Sequence, residues 1–221
     1  MINVAIDGPA GAGKSTIAKA VAKKLNYQYV DTGALYRTIA LYLTRCDLDI
    51  NSDADVTAAI EKLNVEIKYI DGIQHMFMNK EDVTDLIRGI EVSKYASICS
   101  QYMSVREKLL GIQRDIAAQE NVLMDGRDIG TVVLPNADVK IFLTASVECR
   151  AKRRYDELVA QGVQCNLADI KIDIEQRDHR DSHREIAPLK QADDAVLVDS
   201  SDMTIDEVVA KIVEICNNAT K

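Results

Sequence analysis

Ile2-Asn3-Val4-Ala5-Ile6-Asp7-Gly8-Pro9-Ala10-Gly11-Ala12-Gly13-Lys14-Ser15-Thr16 sets an apolar run against a glycine-rich turn and then a helix-forming stretch. That order predicts strand, loop, helix. Gly8, Gly13, Lys14 and Ser15 satisfy G-x-x-x-x-G-K-[ST], a pattern whose small residues let backbone N–H groups turn inward around a phosphate. The candidate phosphate-loop residues are therefore Gly8, Pro9, Ala10, Gly11, Ala12, Gly13, Lys14, Ser15 and Thr16. Lys14 is placed to reach β- and γ-phosphates, and the Ser15 hydroxyl is a candidate Mg²⁺ ligand. A helix starting near Lys14 aims its partly positive end at the same point. Nucleoside triphosphate binding is the expectation.

Outward from this stretch, Ile17, Ala18, Val21, Ala22 and Leu25 recur at helical spacing and predict a helix over 14–26. Residues 27–30 read as a short buried strand ending in Asp31-Thr32-Gly33-Ala34, where Asp31 or Thr32 can cap a helix running to about Cys46. Strand, helix, strand, helix is the beginning of a doubly wound α/β fold. The pattern then changes. Ser52 is a plausible cap for a helix to about Leu63, and the alternating segments 65–70 and 73–78 flank Asp71-Gly72, a strong hairpin signal. A hairpin inside a βαβ chain predicts an inserted small subdomain, 58–98. Further helices are expected over 82–88, 91–102 and 105–119. Parallel strands resume at 121–125 and 139–143, followed by helices over 146–161 and from 167 to about 181. A last strand at 195–199 makes five, and Thr204 caps a closing helix.

The chain has 221 residues, enough to bury roughly 70% of its unfolded surface. No apolar run approaches the ~20 residues needed to cross a bilayer. The N-terminus enters Val4-Ala5-Ile6 without a basic lead or small-residue cleavage site, so a cytoplasmic protein is expected. Five scattered cysteines without C-x-x-C suggest neither a disulfide framework nor a zinc ribbon, and read as buried small hydrophobes. A net charge of −8 argues against nucleic-acid or membrane-surface partners. Seven of the twelve arginines nevertheless fall between Arg127 and Arg184, which suits an anionic small molecule.

Val122-Leu123-Met124-Asp125 fits the acidic strand end that accompanies a phosphate loop, with Asp125 on Mg²⁺ directly or through water. Arg127 follows at a strand's carboxyl end, where open α/β sheets bind ligands. Its alternative is an ion pair with Asp125 or Asp128. In Arg177-Asp178-His179-Arg180-Asp181-Ser182-His183-Arg184, three arginines at steps of three and four share a face if helical. They could close on phosphates and stabilise a transferring phosphoryl group, or form a solvated face neutralised by their own aspartates. Lys14, Arg127, Arg177 and Arg180 are the catalytic candidates. His179 and His183 are spaced for a metal but lack the glutamate of a helical zinc motif. Asn79-Lys80-Glu81-Asp82 mimics a guanine-reading N-K-x-D, yet it precedes the acidic strand and no D-x-x-G occurs, so a regulatory GTPase is not expected.

The motifs G-P-A-G-A-G-K-S-T at 8–16, D-T-G-A-L-Y-R at 31–37, D-G-R-D-I-G-T at 125–131, V-K-I-F-L at 139–143 and R-D-x-R-D-x-x-R at 177–184 together resemble the bacterial cytidylate kinases, a family of nucleoside monophosphate kinases. The likeness runs over nearly the whole chain, departing at Ser15, where relatives often have Gly, and Thr32, where many have Ser. It implies a P-loop NTPase-type parallel five-stranded sheet in a single kinase domain: core 1–57, 99–160 and 186–221, an α+β monophosphate-binding insert 58–98, and a helical lid 161–185. It implies transfer of the γ-phosphoryl group of MgATP to CMP or dCMP in pyrimidine nucleotide metabolism by a monomer. Thr32, Arg37 and Arg127 would then meet the acceptor nucleotide, both arginines near its phosphate, with Arg88 a further substrate-binding candidate. Ser97, Arg106, Asp128 and Arg184 would surround the cytosine, and Arg177 and Asp181 would meet the ribose. Arg150 and Arg153 are candidates for the adenine end or the donor phosphates. The alternative acceptors are UMP or a non-nucleotide metabolite.

Overall fold

Val4, Ala5 and Ile6 have no solvent exposure, as expected of a strand covered on both faces of a parallel sheet. They belong to β1 (Asn3–Asp7), which the glycine loop joins to α1 (Lys14–Leu25); β2 (Gln28–Asp31) and α2 (Thr32–Arg45) follow. Next come α3 (Asp53–Glu61), the strands β3 (Val65–Ile70), β4 (Ile73–Met78) and β5 (Glu81–Asp82), then α4 (Ile90–Cys99) and α5 (Met103–Gln119). The chain closes with β6 (Val122–Gly126), β7 (Val139–Thr144), α6 (Val147–Ala160), α7 (Leu167–His183), β8 (Val196–Asp199) and α8 (Ile205–Ala219). This computed structural model describes residues 1–46 and 48–219, so positions 47, 220 and 221 of the expected core lie outside the described residues.

The five-stranded sheet has the order β2-β6-β1-β7-β8. Parallel pairing puts Asp7 beside Gly126 on one side and Phe142 on the other, so the ends of β1, β6 and β7 share one edge. The strand after β1 skips to the far side of β6, while β7 lies across β1, so the order reverses at β1 and the glycine loop leaves from that switch point. Two compact units are present: Met1–Tyr29 together with the chain from Asn121, and Val30–Glu120. The first packs Ile17 and Val21 of α1 and Val208 and Ile212 of α8 against Val4, Ile6 and Ile141 of the sheet. In the second, Leu35, Ile39 and Leu43 of α2 are buried with Val56 and Ile60 of α3, Met76 and Met78 of β4, and Val105 and Leu109 of α5. The insert expected at 58–98 lies within this unit.

The hairpin has the expected register, Ile70 opposite Ile73 across Asp71-Gly72, and both loop residues take positive φ. The helix expected over 82–88 does not form. Glu81 and Asp82 pair with Met78 and Phe77, and the Asp82 carboxylate accepts the Thr84 N–H at 3.0 Å and its hydroxyl at 2.6 Å, leaving only one 3₁₀ turn, Leu86–Arg88. Asn79 and Lys80 form the positive-φ turn before β5, so the N-K-x-D look-alike is hairpin chemistry. Of the cysteines, Cys99 and Cys216 are buried, with thiols pushed up by burial to about 12 and about 11. Cys46, Cys149 and Cys165 are only half-buried. No helix among the described residues is long and apolar enough to cross a membrane.

Candidate active site

The glycine loop is shaped by what it must pass. Gly8 has φ 150°, and a Cβ there would lie 1.9 Å from the Leu143 carbonyl oxygen, so no side chain is admissible where β1 runs out beside β7. Gly13, at φ 82°, starts α1 without a side-chain cap, which leaves the first helical N–H groups for an anion. Lys14 is buried and donates from Nζ to the Pro9 carbonyl at 2.7 Å, folding its ammonium back into the loop. Burial, then the positive fields of Arg127 and Arg177, hold the Lys14 ammonium well below the usual lysine range, against the opposing pull of Asp125 and Asp7. An entering polyphosphate would reverse the balance. Beside it, Ser15 donates from Oγ to Asp125 at 2.9 Å, and the other Asp125 oxygen accepts from Tyr29 Oη at 2.7 Å. Two hard oxygen ligands held together at a phosphate loop fit Mg²⁺, which binds through one or two protein oxygens plus substrate phosphates.

Arg127 does not pair with Asp125 or Asp128. Its Nε donates to Asp181 of α7 at 2.9 Å, and its Nη1 to the Gly126 carbonyl at 3.2 Å. Burial would raise the Asp181 carboxyl, but the guanidiniums of Arg127, Arg177 and Arg184 outweigh it and keep the group below the usual range. Arg184 reaches Asp128, itself buried, at 3.4 Å. The arginines at 177, 180 and 184 therefore do not share one face. Arg177 and Asp181, one turn apart, turn inward, whereas Arg180 is exposed. Arg150, a candidate for the adenine end or the donor phosphates, has its donors engaged within the protein. It is buried and donates to the carbonyls of Ala145 at 2.9 Å and Ala10 at 3.0 Å and to Asp178 at 2.6 Å, bracing the glycine loop against α7. Arg153 lines a cavity of about 450 Å³ with Gly13, Thr16, Ser200, Thr204 and Val208, and its guanidinium is held by the Ser200 carbonyl at 2.7 Å. His179 and His183 stack at 4.0 Å, and no cluster of three potential ligands exists among the described residues.

Two residues that sequence reasoning missed organise this half. Tyr29 is the second hydroxyl on Asp125. Asp7 accepts the Ile129 N–H at 2.8 Å and the Gly130 N–H at 2.7 Å, one on each oxygen, pinning the π-helical turn Ile129–Val133 that follows Arg127 and Asp128. Burial pushes the Asp7 carboxyl up to about 6, with Asp128 adding to the rise and the two N–H bonds and Lys14 opposing it. A folded-state value above the unfolded one means that this group favours the fold below the unfolded value, an advantage lost as pH rises through about 6. The full swing is on the order of 3 kcal/mol. Urea unfolding at pH 4.5 and pH 7.5 should therefore show wild type losing ground against Asp7→Asn at the higher pH; a gap independent of pH would contradict the burial effect.

The remaining candidates lie in the second unit. Thr32 is buried at the start of α2. Arg37 donates from Nη2 to Asp31 at 2.9 Å. Arg106 is buried, donates to the Ser100 carbonyl at 3.1 Å and sits 5.8 Å from the centre of the Tyr36 ring, a cation–π arrangement not foreseen from sequence. Ser97 Oγ is buried with no hydrogen-bond partner among the described residues. Arg88 is exposed at the end of its 3₁₀ turn.

Comparison with known proteins adds three findings. A family profile described as Cytidylate kinase matches residues 4–218. A cytidylate kinase of Leuconostoc mesenteroides is 51% identical over 97% of this chain and 96% of its own, and one of Lactobacillus johnsonii is 48% identical over 100% and 96%. Among solved structures, an uncharacterised protein from Eubacterium ventriosum shares the fold, with a TM-score of 0.52 over 98% of this chain and 99% of its own at 13% identity.

Proposed function

The chain belongs to the cytidylate kinase family, and from that premise we propose how its residues divide the transfer of the γ-phosphoryl group of ATP to CMP or dCMP, giving ADP and CDP or dCDP. It is an ATP-dependent nucleoside monophosphate kinase. The observation that carries the residue assignment is the gathering of Lys14, Arg127 and Arg177, three cations from separate segments: the fields of both guanidiniums reach the buried Lys14 ammonium, and Arg127 is held by Asp181, one turn from Arg177. Cations so placed oppose each other until an anion arrives, and a phosphoryl group in transfer carries charge on three equatorial oxygens.

The glycine loop and the start of α1 take the ATP phosphates, and the cavity beside Arg153 takes the adenine end. Ser15 and, directly or through water, Asp125 would hold a Mg²⁺ whose chemistry is to draw charge from the β- and γ-phosphate oxygens. Arg37 and Arg127 hold the acceptor phosphate, with Thr32 beside the acceptor nucleotide and Arg88 a peripheral contact. Arg177 and Asp181 meet the ribose. Ser97, Arg106, Asp128 and Arg184 read the base: a carboxylate such as Asp128 accepts from the cytosine amino group, where uracil offers a carbonyl and would leave both groups unpaired. Arg150 acts behind the loop as a brace.

No protein general base is required. The CMP phosphate is largely dianionic near neutral pH and attacks the γ-phosphorus directly, so the protein supplies alignment, charge neutralisation and exclusion of water. We assign that exclusion to the 161–185 segment, whose exposed Arg180 would engage phosphate on closure. The acidic net charge of −8 supports free nucleotides, not a nucleic acid, as partners of a cytoplasmic monomer.

ADP release measured with CMP, dCMP, UMP, AMP, GMP and shikimate tests the reading. Stimulation by CMP and dCMP, at least about a hundredfold above UMP in kcat/KM, is the expected result. Stimulation by a non-cytidine acceptor alone would overturn the base-reading assignments.

A further inference from the structure

Gln74 lies on β4, in the hairpin, and carries none of the chemistry assigned above, yet its amide grips the chain at the start of α2. Its Oε1 accepts the Asp31 N–H at 2.8 Å and its Nε2 donates to the Asp31 carbonyl at 3.2 Å. One side chain thus makes the pair of bonds that a neighbouring strand would make, and the two bonds fix which way the amide faces. The other side of Asp31 is equally occupied. Oδ1 accepts the Ala34 N–H at 3.0 Å, capping α2, and Oδ2 takes Nη2 of Arg37 at 2.9 Å. Asp31 is therefore tied at four points, and the fourth is the guanidinium assigned to the acceptor phosphate. The intervening Gly33 leaves the passage open: a Cβ there would lie 2.9 Å from Arg37 Nη1 and 3.2 Å from Asp31 Oδ1.

We propose that Gln74 is a positioning residue for the acceptor phosphate, holding the Asp31 backbone so that its carboxylate presents Arg37 in a fixed pose. The inference rests on the acceptor role given to Arg37. It gives the hairpin a task in the reaction beyond packing. A guanidinium held in place loses less freedom when phosphate arrives than one that must first be ordered.

The test compares the full-length wild type with Gln74→Met, which keeps length and packing, Asp31→Asn, Arg37→Ala and the Gln74→Met/Arg37→Ala double variant. Binding of CMP and of cytidine, which has no phosphate, is measured by calorimetry, alongside KM for ATP. Gln74→Met should weaken CMP about tenfold, leave cytidine within about twofold and leave the KM for ATP unchanged. Asp31→Asn should weaken CMP in the same direction. In the Arg37→Ala background the Gln74→Met change should add little, because both act on one contact. His75→Ala, the next residue on the strand, should leave CMP binding as it is. Full multiplication of the two single effects, equal loss of CMP and cytidine, or unchanged CMP binding in Gln74→Met overturns the proposal. Arg37→Ala with wild-type CMP affinity would instead overturn the acceptor assignment itself, and this inference with it.

Discussion

Replacing Arg127 by alanine is expected to lower kcat/KM for CMP by about 10³, with a circular dichroism spectrum unchanged from wild type. Three features point to an effect of that size. Arg127 directly follows Gly126, the end of β6 and the register partner of Asp7 at the foot of the glycine loop. Its field reaches the Lys14 ammonium. Its Nε is oriented by Asp181 at 2.9 Å, so one face of the guanidinium is fixed before substrate arrives. The fold should survive, because Asp181 keeps the fields of Arg177 and Arg184. Arg127→Lys restores a charge without the planar fork and should recover only part of the loss. Steady-state ADP release with CMP and with dCMP checks this, and near-wild-type activity in Arg127→Ala would remove Arg127 from the reaction.

Lys14→Met should suppress turnover by at least about 10² while leaving the thermal midpoint of the ligand-free protein unchanged or higher. The opposite directions follow from one cause. Without a polyphosphate, burial and the fields of Arg127 and Arg177 work against the Lys14 ammonium, and a methionine of similar length removes that penalty. With ATP bound, the same ammonium faces phosphate oxygens. Wild type should therefore gain much more thermal stability from ATP than Lys14→Met does. A variant that loses activity together with several degrees of ligand-free stability would make Lys14 a structural residue of the loop.

What the sequence disclosed was what neighbouring residues encode. The glycine loop, the Asp71-Gly72 hairpin and the caps at Asp31, Ser52 and Thr204 each depend on residues a few positions apart, and each stands where its pattern places it. What the sequence did not disclose depends on partners outside the local pattern. A helix over 82–88 is reasonable from composition, but Met76 accepts the Val83 N–H at 2.9 Å and β5 adds to the hairpin. The sequence does not disclose that Asp178 and the carbonyls of Ala145 and Ala10 take the donors of Arg150. Asp7 reads as the last residue of a strand, and only the fold brings Ile129 and Gly130, more than a hundred positions away, onto its two oxygens. Tyr29 and Gln74 carried no signal beyond strand alternation. Spacing alone groups Arg180 with Arg177 and Arg184, and with Asp181 turned inward toward Arg127, Arg180 is exposed.

The most direct test of the account follows the phosphoryl group itself. ATP labelled in its γ-phosphate is incubated with the protein and CMP, and the nucleotides and inorganic phosphate are separated. The account predicts that label appears in CDP in step with ADP formation, and that little label is released as phosphate when CMP is omitted. Label accumulating as inorganic phosphate at the same rate with and without CMP would contradict it.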